Sequence, residues 1–227
     1  RFCRQHGWTN LRTDDLTVSD HAPVKPKTIL QPEALRILFS SDLTSYGKSG
    51  SKVEPYIHAY RFQVLTGLRP GELLGLKWSD ISGNVIHLQR AINFYGEETR
   101  GKNDNAVRNI ILTNQMKTIL SAQQPFGRGA PYIFGNITSE KNYLIHWKKY
   151  CAYNGIPKTT VYELRHTFVS VISSALPEGA VKELVGHSKN MDTFGIYGHE
   201  VDGDAEKMAR IMETRFTQLL GEKAKRD

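Results

Sequence analysis

Residues 66–81 read TGLRPGELLGLKWSDI, from Thr66 to Ile81, and they stand between two different hydrophobic rhythms. Gly67, Pro70 and Gly71 oppose continuation of any helix arriving from the N-terminal side, and the LLGLKW run then resumes for a short apolar helical turn. Upstream the pattern is helical. Pro32 suits a first helical turn, Leu35, Leu38 and Phe39 follow at helical spacing, and a second helix is predicted from about Pro55 to Leu65. The SYGKSGSK stretch between them reads as a polar loop. Downstream, NVIHLQRAINFY and VRNIIL are β-branched and aromatic and flank the Gly-, Asn- and Asp-rich GEETRGKNDNA. Residues 84–112 are therefore predicted to form a small antiparallel sheet of about three strands.

Beyond Asn114 the chain reads as helix again, apart from a turn at QQPFGRGAPY. In VYELRHTFVSVI the apolar set Val161, Leu164, Phe168 and Val171 makes one buried stripe. Tyr162, Arg165 and His166 fall off that stripe and share another face. PEGAVKELVGHS is a short helix with Pro177 near its start, Gly186 as its stop and His187 just past it. In the tail, Met208, Met212, Phe216 and Leu220 recur every fourth residue, an amphipathic helix. The fold class expected is mainly α with a small antiparallel β-sheet (α+β).

Of 227 residues, 30 are Lys or Arg against 23 Asp or Glu, a net charge of +7 that suggests an anionic partner. Residues 201–227 carry as many acids as bases, so the whole excess lies upstream of residue 201. The bases there occur singly along several segments, which favours a groove assembled by folding over one basic amphipathic helix on a membrane. No stretch approaches the roughly 18 apolar residues of a spanning helix. Cys3 and Cys151 are far apart with no CxxC, so a reducing, intracellular setting is expected. Cys3 with His6 and Cys151 with His146 do not make a four-ligand zinc set, so no metal and no cofactor are expected.

The polar residues at structural interruptions are the chemical candidates: Arg69 before a proline, Lys102 at a hairpin tip, Arg165 on a largely apolar helix, His187 after a helix end. Singly, each reads as readily as a solvated charge, and Tyr197 as readily as a half-buried core residue. Their order changes the reading. TGLRPGELLGLKWSDI, a hairpin lysine, ELRHTF, LVGHS and a tyrosine ten residues after that histidine together resemble the catalytic domain of the tyrosine recombinases, the phage-integrase family. The resemblance covers roughly residues 31–200.

It implies transesterification on double-stranded DNA without ATP. Tyr197 would be the nucleophile, giving a 3′-phosphotyrosyl link and a free 5′-hydroxyl. Arg69 and Arg165 match the two guanidiniums that hold the non-bridging oxygens. Lys102 matches the lysine that protonates the leaving 5′-oxygen, with Arg100 as its neighbouring competitor. His187 matches the second histidine position, while Glu72 and His166 match supporting positions. The family's usual His-x-x-Arg-His is here Tyr162-Glu163-Leu164-Arg165-His166. A phenol with a reference pKa of about 10 is a poor base and a good donor, so Tyr162 is expected to position the phosphate rather than to act as base or nucleophile.

Lys141, Lys148, Lys149 and Lys158 offer a phosphate-tracking surface. The resemblance also divides the chain: residues 1–30 as a linker at the end of a missing N-terminal DNA-binding region, 31–200 as the catalytic domain and 201–227 as a tail helix. Family members act as synaptic tetramers on DNA, and the neutral tail is a candidate for docking on a neighbouring protomer. A cytoplasmic, DNA-associated protein of bacterial or phage origin follows. Two alternatives stay open: a type IB topoisomerase or resolvase using the same residues, and a non-catalytic module using helices 160–175 and 177–185 as a helix-turn-helix.

Overall fold

The computed structural model describes residues 28–45, 47, 50–100, 107–127, 129–186 and 203–221. Helix α1, Pro32–Ser40, begins on the proline, whose fixed φ and missing N–H suit a first turn, and it buries Ala34, Leu35 and Leu38. Strands β1, Leu43–Ser45, and β2, Ser51–Val53, then pair antiparallel with Leu43 opposite Val53. Helix α2, Ile57–Thr66, has every residue but His58 buried. A helix buried on nearly all sides belongs in the middle of a domain, and α1, the next two helices and the later helix carrying Arg165 pack against this one.

Gly67 ends α2 with φ +66°, and a Cβ there would lie 2.3 Å from Cδ1 of Phe168. Glycine is thus required twice over, for backbone conformation and for close approach. Helix α3, Pro70–Leu74, starts immediately with Arg69 as its extended N-cap residue. Gly71 lets the next layer approach: a Cβ there would come within 2.5 Å of the Ile92 carbonyl oxygen. A 3-10 turn, Trp78–Asp80, leads to the strands.

The central sheet is three-stranded and antiparallel in the order β3 (Ile81–Ser82), β4 (Val85–Leu88), β7 (Arg108–Ile111). Ile86 pairs with Ile110 and Leu88 with Arg108. Residues 84–112 do not form one sheet throughout, because β5 (Ala91–Ile92) and β6 (Glu98–Thr99) make a separate ribbon between β4 and β7. Arg90 turns the chain there, donating from Nη1 to Asp80 Oδ2 at 2.5 Å and to the Gly75 carbonyl at 3.3 Å.

Helix α4, Asn114–Gly127, runs through Pro125 into the expected turn. Helix α5, Glu140–Asn154, buries Tyr143, Trp147, Tyr150 and Cys151 and is capped by Ser139, which accepts from the Asn142 N–H. Its aromatics meet Tyr60 of α2, with ring centroids 5.0 Å from Tyr143 and 4.8 Å from Trp147. Helix α6, Val161–Ile172, opens with a capping box in which Thr160 and Glu163 satisfy each other's end of the first turn. Helix α7, Glu178–Val185, ends at Gly186 in the left-handed conformation. Helix α8, Asp204–Gly221, lies on its own chain, with Ala209, Met212 and Phe216 buried and Phe216 stacked on Phe168 at 6.3 Å. Arg36 Nη1 donates to the Leu219 carbonyl, and Glu213 accepts from the Asn114 N–H. Among the described residues no helix is long and apolar enough to cross a membrane, and no cluster of three or more His, Cys, Asp or Glu could hold a metal.

Candidate active site

Three elements, α3, β7 and α6, converge on the carboxylate of Glu72, which is 3% exposed. Its Oε2 accepts from the backbone N–H of Arg69 at 2.9 Å and its Oε1 from Arg69 Nη1 at 2.7 Å. The capping interaction of α3 therefore also orients the arginine that starts it. From β7, Arg108 donates Nη1 to Oε1 at 3.3 Å and Nη2 to Oε2 at 3.0 Å. From α6, Arg165 Nη1 comes within 4.0 Å of Oε2.

Arg165 is itself held between two main-chain carbonyls. Nη1 donates to Gly67 at 2.7 Å and Nη2 to Val185 at 2.6 Å. Arg108 Nε donates to the carbonyl of Leu184 at 2.9 Å. The last carbonyls of a helix lack intrahelical partners and carry the negative end of its dipole. Two guanidiniums thus terminate α7, the helix that leads into His187.

The electrostatics follow from three cations sharing one anion in a buried place. Burial alone would raise the Glu72 carboxyl, but Arg108 and Arg69 outweigh it and leave it below its ordinary value. Burial, then the Arg69 charge, depress the Arg165 guanidinium to about 10, with Glu72 opposing them, so it stays charged at neutral pH. Arg69 is the most open of the three, its side chain 24% exposed against 7% for Arg165 and 8% for Arg108. The cluster carries a surplus of positive charge, and Arg69 is its most exposed member, which suits an anionic oxygen.

Arg165 does not fall off the apolar stripe of α6. Val161, Leu164, Arg165, Phe168 and Ile172 are all buried, whereas Val171 is only partly so. A core-facing helix buries three to four positions in two turns, and the position after Leu164 belongs to that wider stripe. Tyr162 and His166 flank it. Tyr162 is 47% exposed, and its hydroxyl donates to Glu140 Oε1 at 3.1 Å. Partial burial, then the Glu140 charge and this bond, raise the phenol's pKa above its ordinary value, with Arg69 opposing. Lys141, Lys148, Lys149 and Lys158 are all exposed, the first three on α5 away from its buried aromatics. Arg100 is exposed, and Lys102, His187 and Tyr197 lie outside the described residues.

Arg108 and Glu140 went unrecognised in the sequence. For Arg108 a signal existed: it alternates with Ile110 and Leu112, both buried, so a period of two puts it on the core side of its strand. Glu140 gave none, since its pairing with Tyr162 joins the starts of two different helices.

The site thus stands on a small antiparallel sheet against helices, with Arg108 and Arg165 drawn from distant segments onto one buried acid. The chain belongs to the phage integrase family, whose model matches residues 42–203. It is 26% identical over 224 residues to a XerC-like tyrosine recombinase of Caldanaerobacter subterraneus subsp. tengcongensis, covering 84% of this chain and 52% of that one. The chain spans about half the length of the curated relatives it matches. Its fold resembles that of the Tn1549 transposon integrase in complex with transposon right end DNA, with a TM-score of 0.60, 21% identity and coverage of 88% of this chain and 70% of that one. It also resembles a lambda integrase tetramer bound to a Holliday junction, with a TM-score of 0.56, 16% identity and coverage of 89% and 57%.

Proposed function

We propose that this chain carries the catalytic domain of a site-specific DNA recombinase of the integrase type, cutting and rejoining duplex DNA through a phosphotyrosyl link. The observation that carries the reading is the convergence of Arg69 and Arg165 on Glu72, residues 3 and 93 positions away from it in sequence, leaving a positive surplus with Arg69 as its more exposed member. The Tyr197 oxygen attacks phosphorus as its phenol proton passes to His187, the phosphorus bond to the 5′-oxygen breaks, and Lys102 supplies the proton that oxygen takes up. Arg69 and Arg165 hold the non-bridging oxygens, whose charge grows in the transition state, and His187 adds a hydrogen bond there. The phosphodiester energy is kept in the tyrosyl ester, so rejoining needs only the reverse attack by a 5′-hydroxyl.

Lys141, Lys148, Lys149 and Lys158 track the phosphate backbone. Residues 31–200 form the catalytic domain, residues 1–30 connect it to a preceding DNA-binding region, and residues 201–227 are the tail. The protein works on DNA as a homotetramer, the state seen for lambda integrase on a Holliday junction. The seat of α8 on α1, α6 and β7 is present on every copy, so the helix can exchange between protomers without a new surface. A chain truncated after residue 202 that assembles on DNA and cleaves in the same order would sink the exchange.

The test uses nicked duplexes with randomised flanks, from which the chain recovers its own substrate, followed by denaturing electrophoresis. A covalent protein–DNA band is expected, and Tyr197→Phe abolishes it. Absence of a band, or its persistence in Tyr197→Phe, overturns the reading.

A further inference from the structure

Arg108 is not among the residues proposed to touch the scissile phosphate, yet it bonds both oxygens of Glu72 and the carbonyl of Leu184. The geometry points to Arg108 as the positioning residue of the site: it neutralises Glu72 and ties that carboxylate to the end of α7, so that Arg69 keeps its charge for the phosphate. This inference rests on the strand-transfer reading above.

With its side chain 8% exposed, Arg108 is enclosed in the frame rather than presented to DNA. Each of its three guanidinium nitrogens has a partner there, Nε on the Leu184 carbonyl and the two Nη atoms on the two oxygens of Glu72. A planar fork can span a carboxylate and a carbonyl at once; an ammonium cannot. Arg108 is also the first residue of β7, directly after the segment that carries Lys102, while Leu184 stands three residues before His187. One side chain therefore links the strand leaving the lysine segment, the acid that orients Arg69 and the helix leading to the histidine.

The charge count gives the link its chemical purpose. Glu72 alone would bind Arg69 as a closed ion pair and cancel it. With Arg108 in bidentate contact as well, three guanidiniums share one carboxylate, and the cluster keeps a surplus of two positive charges. A phosphorane-like transition state carries about two negative charges, one more than the ground-state diester. Arg108 thus acts through Arg69 on the step where charge develops, not on the affinity for DNA.

The full chain and its Arg108→Gln, Arg108→Lys and Arg108→Gln/Glu72→Gln variants are compared on the recovered nicked duplex, measuring Kd and the adduct-forming rate at saturating DNA. Arg108→Gln is expected to lose about 100-fold in rate, the scale of a displaced catalytic group, with Kd unchanged. Arg108→Lys falls as well, because it keeps the charge but not the fork. The double variant, with no carboxylate left to capture Arg69, is faster than Arg108→Gln. Melting of each variant is followed in parallel, and if Arg108→Gln does not fold, Arg108→Lys carries the comparison. A lower melting temperature with an unchanged saturating rate overturns the inference and leaves a fold brace. So does a double variant no faster than the single one. No adduct from the parent overturns the strand-transfer reading and this inference with it; an adduct from the parent and undiminished variants overturn this inference alone.

Discussion

The carboxylate of Glu72 is gripped by both Nη atoms of Arg108, a residue 36 positions further along the chain. The pair is buried on both sides, and removing one partner of a buried pair strands the other. Glu72→Ala is expected to destabilise the domain by about 3 kcal/mol, read from urea unfolding at neutral pH.

The same pair gives a pH signature. The Glu72 carboxyl is lowered in the folded chain, so its contribution is fully present above the unfolded carboxylate pKa of about 4.3 and fades as pH falls through the folded value. The stability gap between the parent and Glu72→Gln should therefore narrow below about pH 4. A gap that stays constant down to acid unfolding contradicts the assignment.

Gly67→Ala meets two penalties together, a left-handed φ of +66° and a Cβ only 2.3 Å from the Phe168 ring. The expected loss is about 3 kcal/mol, from the backbone term and overpacking combined. Because the Gly67 carbonyl anchors Arg165, the adduct-forming rate should drop as well, at temperatures where the variant remains folded.

Tyr162 donates to Glu140, and its pKa is raised, so it has no titration between pH 6 and 9 to give. The pH–rate profile of Tyr162→Phe is expected to keep the parent's shape there. Tyr162→His introduces an imidazole with a reference pKa of about 6.5 and should add a new limb near that pH. A Tyr162→His chain many-fold faster than the parent would show that the tyrosine compromises this site.

Lys148 and Lys149 are exposed neighbours on α5. Lys148→Ala and Lys149→Ala are each expected to weaken DNA binding across sequences and to lower the salt slope of log K by about 1. Fluorescence anisotropy over a salt series reads both quantities, and an unchanged slope removes that lysine from the phosphate-tracking surface.

What could be read from the chain alone was whatever depends on local spacing. Pro32, Gly67, Pro70 and Gly186 mark helix ends through their own backbone limits, so α1, α2, α3 and α7 were legible within a few residues. The ordered motifs around Arg69 and Arg165 disclosed the family, which the match over residues 42–203 shows. The β1–β2 pair was not legible, because its strands are three residues each, too short for a period to detect, and only Thr44 among them is buried. Long-range bonds hold it: Asn154 Nδ2 donates to the Leu43 carbonyl across 111 residues.

The sequence by itself determined the kinds of side chain, their order and the points where helices must stop, since those follow from backbone and hydrophobic period. Only the tertiary structure decided which charges meet. Arg165 reads locally as a polar-face residue but is buried on two carbonyls, and the alternation that turns Arg108 inward does not say that it meets Glu72. The reason is physical: a buried guanidinium is tolerated only where acceptors from distant segments converge on it, and no local pattern encodes that convergence.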